Sequence, residues 1–180
     1  MTMFHILCDV SRQLACILLL FSLTSQTFAA YDPDAPMSKV RNGDVDIAYL
    51  DVGEKSADPI LIIMGLAASH RIWNPAIIDG LLNGGYRVVL LDNRDVGESS
   101  RVAARGKLWL AWQLFKYRIG WRVKSPYSLS DMASDATAVL DALEIDRAHL
   151  IGASMGGMIA QTIAYEHPTR AASLVSIMST

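Results

Sequence analysis

From residue 60 to residue 178 the chain alternates between two kinds of segment, and this alternation restricts the available folds more than any other feature. Short apolar runs at 60–64, 87–91, 149–151 and 172–178 are separated by stretches of helical period at 69–82, 129–143 and 155–167. Runs that are apolar at consecutive positions fit strands buried on both faces, and strands joined through helices pair in parallel because a parallel neighbour needs a crossover. The pattern therefore predicts an α/β domain whose parallel sheet carries helices on both sides. Gly84-Gly85 is placed to end the first helix, and Pro168 follows the last. Ahead of these elements, residues 39–52 alternate about Asn42-Gly43-Asp44, which predicts an antiparallel hairpin leading into the sheet.

Two segments fall outside the alternation. Residues 14–23 are almost unbroken in apolar character, preceded by Arg12 and followed by Thr27-Phe28-Ala29-Ala30. This is the layout of a secretory signal over residues 1–30, cut after Ala29 or Ala30, and it predicts export to the periplasm or medium. An apolar run of about ten residues falls short of the roughly 20 that span a bilayer, which favours cleavage over the alternative of an uncleaved anchor. Cys8 and Cys16, the only cysteines, both lie in this leader, so the exported chain is expected to be held by packing without a disulfide.

The second segment, 101–130, holds seven basic residues (Arg101, Arg105, Lys107, Lys116, Arg118, Arg122 and Lys124), no acidic residue, and three of the four tryptophans. Leu108, Trp112, Phe115 and Ile119 fall at helical spacing, predicting a basic amphipathic helix inserted after the second parallel strand. Such a helix packs on the sheet, walls a substrate pocket, or rests on an anionic membrane surface. With 52% hydrophobic residues and a net charge of -2, the chain as a whole has a globular composition and no nucleic-acid partner is implied.

The chemistry concentrates in Gly152-Ala153-Ser154-Met155-Gly156-Gly157, a Gly-x-Ser-x-Gly pattern between a predicted strand and a predicted helix. A serine hydroxyl is a weak nucleophile, and a sharp strand-to-helix turn presents it to both a base and an acyl carbon. Flanking Gly152 and Gly156 let neighbouring backbone approach. The Met155 N–H, at the start of the helix, is a candidate oxyanion donor. A second donor is expected from the loop after the first parallel strand, where Met64-Gly65-Leu66 offers the Leu66 N–H behind the turn at Gly65. No cluster of His, Cys and Asp with metal-ligand spacing is present, so neither a metal nor an organic cofactor is implied.

Four segments together, Leu61-Ile62-Ile63-Met64-Gly65-Leu66, Leu91-Asp92-Asn93-Arg94-Asp95-Val96-Gly97-Glu98-Ser99, Gly152 to Gly157, and His167-Pro168, resemble α/β-hydrolase-fold esterases of the aclacinomycin methylesterase-like group. The resemblance runs from about Val40 to Thr180 and implies an α/β-hydrolase fold in which residues 31–180 form the N-terminal portion. It implies a serine hydrolase acting on a small-molecule carboxylic ester, with Ser154 as nucleophile and Met155 and Leu66 at the oxyanion hole. Asp92, Arg94 and Ser99 become loop-bracing residues beside the site. Many relatives carry His-Gly where this chain has Met64-Gly65, so one polar side chain is replaced.

The same resemblance also fits a lactonase, a thioesterase or a cofactor-free perhydrolase, and the fold alone is compatible with a non-catalytic ligand- or partner-binding protein. Hydrolases of this fold supply serine, then an acid, then histidine in that chain order. Both partners are expected beyond Thr180, and the 180-residue chain by itself is expected to be inactive. Of the histidines present, His70 reads as a surface residue of the first helix, and His149 begins the nucleophile strand at its far end. His167 ends the nucleophile helix, roughly 20 Å from Ser154 at 1.5 Å per residue.

Overall fold

The computed structural model describes residues 30–102, 107–121 and 125–179. Residues 1–29 of the expected leader, with its two cysteines, lie outside them, as do residues 103–106 and 122–124 of the basic segment. Among the described residues six strands form one sheet: β1 (Ser38–Asn42), β2 (Val45–Val52), β3 (Pro59–Ile63), β4 (Arg87–Leu91), β5 (Ala148–Ala153) and β6 (Ala171–Ile177), in the spatial order β1-β2-β4-β3-β5-β6. β1, β2 and β4 pair antiparallel, and β4, β3, β5 and β6 pair in parallel. The α/β class, the leading hairpin and the four parallel strands all agree with the sequence reading.

The α-helices among the described residues are α1 (Pro75–Asn83), α2 (Lys107–Arg118), α3 (Leu129–Ala142) and α4 (Met155–Glu166). The strand period of two decides what covers each face of the sheet. Ile60, Ile62, Val88 and Leu90 turn to one side, where Ile78 and Leu82 of α1 and Trp73 cover them. Leu61, Ile63, Val89, Leu91 and Leu150 turn to the other, against Met132, Ala136 and Leu140 of α3 and Ile159 and Ile163 of α4. A fully buried Leu or Ile contributes about 1.5–3 kcal/mol relative to exposure, so these two layers supply most of the drive to fold. β6 ends the sheet, and its Leu174, Val175 and Ile177 are exposed.

The first predicted helix differs from expectation at its start. A 3₁₀ turn, His70–Ile72, is followed by α1 from Pro75, in place of one helix from residue 69. Proline is accepted in a first turn and pushes the residue before it into extended backbone. Asn74 accordingly sits at φ −62° and ψ 122° and caps the helix by accepting from the Ala76 N–H. α3 carries a capping box in which Ser128 and Asp131 satisfy each other's backbone N–H. α2 forms inside the basic segment, but its apolar residues are spread around the axis, so the expected amphipathic division is weak.

Candidate active site

The topology creates a crevice before any side chain is considered. β3 connects to β4 on one side, whereas β5 connects to β6 on the other, so the chain diverges between β3 and β5. Ligands of open α/β sheets bind beyond the carboxyl ends of strands at such a divergence. Register pairs Ile63 with Gly152, which brings the loop Met64-Gly65-Leu66 level with the turn at Ser154. The two segments singled out from sequence, about 90 residues apart in the chain, thus flank one crevice.

Ser154 is exposed at the junction of β5 and α4, with φ 53° and ψ −124°. Positive φ is sparsely populated for a residue with a Cβ, and surrounding contacts must hold it there. One is the Ser154 N–H, which donates to the Ile177 carbonyl at 2.8 Å. A second is close backbone packing. A Cβ on Gly156 would lie 2.2 Å from the Ile63 carbonyl oxygen, so the first turn of α4 rests directly on the end of β3. Gly152 faces the Gly156 backbone in turn.

Gly65 lies against the serine itself. A Cβ there would come within 3.0 Å of Ser154 Cβ and 3.4 Å of Oγ. The Ser154 side chain makes no capping bond to α4, and helix geometry leaves the Met155 N–H without an acceptor inside the helix. Leu66 follows Gly65 and is 75% exposed at the rim, and Ala67 turns the loop away with φ 56°. Asn93 Nδ2 donates to the Met64 carbonyl at 2.8 Å and ties this loop to the end of β4. Asn93 is a bracing residue that the sequence reading did not single out.

Asp92 and Arg94 both brace the site region, through different partners. Asp92 is fully buried, and its Oδ1 accepts from the backbone N–H of His70 at 2.8 Å and sits 2.9 Å from His70 Nδ1, while Oδ2 accepts from the Glu98 N–H. Arg94 makes a two-pronged bond to Asp135 of α3, Nε to Oδ2 at 2.6 Å and Nη2 to Oδ1 at 2.8 Å, and lies over the Tyr127 ring. Ser99 Oγ donates to the Asp92 carbonyl and accepts from the Ala48 N–H. Asp135 gave no local signal, since it stands 41 residues from Arg94 among the apolar positions of α3.

The surface position expected for His70 is overturned: it is 0% exposed. The 3₁₀ turn points its ring inward, where Nδ1 meets Asp92 and Nε2 lies 3.0 Å from the Pro33 carbonyl. Burial opposes a charge on this ring, but the Asp92 hydrogen bond and the Pro33 carbonyl outweigh it and raise the His70 pKa. Burial likewise opposes ionisation of Asp92, yet the His70 contacts hold its carboxyl below the ordinary range. Both ring nitrogens are committed, so His70 is a buried clamp. His149 bonds through Nδ1 to Ser173 Oγ near the start of β5, the end away from Ser154, and His167 caps the far end of α4.

Comparison with known proteins agrees with this construction. A family model described as the alpha/beta hydrolase fold matches residues 58–180. Rhodomycin D methylesterase DauP of Streptomyces sp. (strain C5) is 29% identical over 143 residues, which cover 79% of this chain and 42% of that protein. Among solved structures, Est816, described as an N-acyl homoserine lactone degrading enzyme, is 29% identical with a TM-score of 0.62, covering 79% of this chain and 45% of that one. A membrane phospholipase A described as a bacterial virulence factor is 27% identical with a TM-score of 0.63, over 81% and 40%. The chain spans less than half the length of these relatives, and the methylesterase match agrees with the resemblance read from the motifs. On the match over 58–180, this chain belongs to the alpha/beta hydrolase fold family.

Proposed function

We propose that this protein hydrolyses carboxylic esters with Ser154 as the nucleophile. The observation that carries the reading is the exposed Ser154 held at φ 53° in the β3/β5 crevice with the Gly65 backbone against it. Strain of this kind persists only where surrounding structure enforces it, and it aims the hydroxyl away from the strand and into the crevice. In the reaction, Oγ bonds to the ester carbonyl carbon as its proton passes to a histidine base. The carbonyl oxygen becomes an oxyanion facing the Met155 and Leu66 N–H groups. Collapse of this intermediate breaks the bond to the alcohol, which leaves with the proton, and water then releases the acid and restores Ser154.

The base comes from outside the described residues, because His70 is engaged at both ring nitrogens and His149 and His167 stand along elements that lead away from the crevice. A lactone is a cyclic ester and passes through the same acyl-enzyme, and the likeness to Est816 supports lactones as a second substrate class. Thioesters and perhydrolysis belong in the same substrate panel. Export through the leader is part of this reading, and the recovered protein should begin at Ala30 or Tyr31.

The test is p-nitrophenyl ester and lactone hydrolysis by the protein isolated from its native source, beside its Ser154→Ala variant. The variant should lose about 10⁴-fold or more in kcat. A loss below tenfold would move the chemistry to another group, and no hydrolysis of any panel member would favour a non-catalytic binding protein.

A further inference from the structure

The elbow and its braces leave one feature unexplained, the surface of α2 and the turn after it. Trp112 and Phe115 stack at 5.5 Å between ring centroids. They are 49% and 50% exposed, and Ile119 and Trp121 beyond them are 44% and 59% exposed. Trp112, Phe115 and Ile119 follow one another at helical spacing, so their exposed parts form a continuous apolar strip. Lys116 Nζ lies 5.7 Å from the centre of the Trp112 ring, and neither Lys116 nor Arg118 has an acidic partner among the described residues. Water is a poor solvent for such a strip, and large exposed apolar patches mark contact surfaces.

Charge identifies the partner. Seven of the chain's 16 Lys and Arg residues fall in 101–130 and none of its 18 Asp and Glu residues do. The rest of the chain is therefore strongly acidic and repelled by any anionic surface, which leaves this segment as the part able to approach one. Tryptophan favours the lipid headgroup boundary, where its ring is in apolar surroundings and its N–H remains wet, and flanking cations pair with anionic headgroups. We propose that α2 and the turn through Trp121 dock on the surface of an anionic lipid bilayer. The contact is superficial: α2 has 12 residues, about 18 Å at the helical rise, and no helix among the described residues is long and apolar enough to cross a membrane.

Both ends of the segment are rooted at the carboxyl edge of the sheet. Val102 N–H donates to Asp95 Oδ1 at 2.6 Å, and Arg101 Nη1 donates to the Asp95 carbonyl, while Tyr127 lies under Arg94. Docking there would turn the edge that carries Ser154 toward the lipid.

The experiment mixes the full chain with vesicles of phosphatidylcholine alone or with one third phosphatidylglycerol, and follows tryptophan emission and flotation. The leader contains no tryptophan and Trp73 is buried, so the emission reports on α2 and its turn. The expected result is a blue shift and flotation with the anionic vesicles that weaken in about 0.5 M salt, where exposed charges are screened. Lys116→Glu with Arg118→Glu should lower anionic-vesicle partitioning at least tenfold, and Trp112→Ala with Phe115→Ala should abolish the blue shift. An equal shift with both vesicle types, or no effect of either pair of substitutions, would overturn the proposal. A soluble acidic protein that binds the patch while vesicles leave the emission unchanged would overturn it as well.

Discussion

The turn at Ser154 and the helix α2 are both rich in small or apolar residues, and both follow a strand at the same edge of the sheet, yet they are built on opposite terms. At the turn, backbone packs on backbone: Gly152 and Gly156 leave no room for a Cβ, and Gly65 would hold one only in tight contact with Ser154. Along α2, Trp112, Phe115 and Tyr117 stand at least half in solvent or close to it. Residue identity in the first region answers to steric contact inside the protein. In the second it answers to whatever medium lies outside, so similar apolar content carries different consequences in the two places.

Substitutions can break that contrast, and the largest effect is expected at Gly156. Gly156→Ala puts a methyl 2.2 Å from the Ile63 carbonyl oxygen, and backbone cannot swing aside as a side chain can. The expected loss is about 3 kcal/mol or more, seen as a lowered midpoint in urea unfolding. Wild-type stability in this variant would mean that α4 does not rest on β3 as described. Asp135→Ala comes next, since it strands the Arg94 guanidinium in a buried position and should cost about 3 kcal/mol. A cost under 1 kcal/mol would show that water reaches Arg94.

Ser154→Gly should act in the other direction. Glycine accepts φ 53° without penalty, so the variant should gain about 1 kcal/mol while losing all reactivity. A destabilised variant would contradict the strain assigned to this residue. For α2, Trp112→Ala with Phe115→Ala should change stability by less than about 0.5 kcal/mol in the absence of lipid. A larger loss would place this pair in a packed contact and remove the contrast.

The clamp between His70 and Asp92 adds a pH dependence to the packed region. A raised His70 pKa contributes stability that is full below the unfolded imidazole value, about 6.5, and fades as pH rises through the folded value. A lowered Asp92 pKa contributes stability present above about 3.9 and lost as pH falls through its folded value. The pair therefore supports the loops best between these limits. His70→Gln should destabilise more at pH 5.5 than at pH 8.5 in thermal unfolding, and an equal loss at both would show that the ring is neutral throughout.

The sheet is legible in the sequence because each buried parallel strand writes itself as consecutive apolar residues, as Val88 to Leu91 does. The turn at Ser154 is legible for a similar reason, since its glycines and serine are contiguous. What escapes is contact between distant positions. Nothing near His70 announces that Asp92, 22 residues on, will bury it, and nothing near Arg94 points to Asp135. The break before α1 was written in Asn74-Pro75, but the apolar period through residues 69–82 outweighs that signal when periodicity alone is read.

Covalent labelling distinguishes Ser154 from every other serine as the nucleophile. The protein from its native source would be treated with a fluorophosphonate, digested with trypsin and mapped by mass spectrometry. Cleavage after Arg147 and Arg170 releases a peptide in which Ser154 is the one serine, so an adduct there is unambiguous. The expected result is an adduct on that peptide that disappears in Ser154→Ala. An adduct on any other peptide, or none under conditions that label a known serine hydrolase, would contradict it.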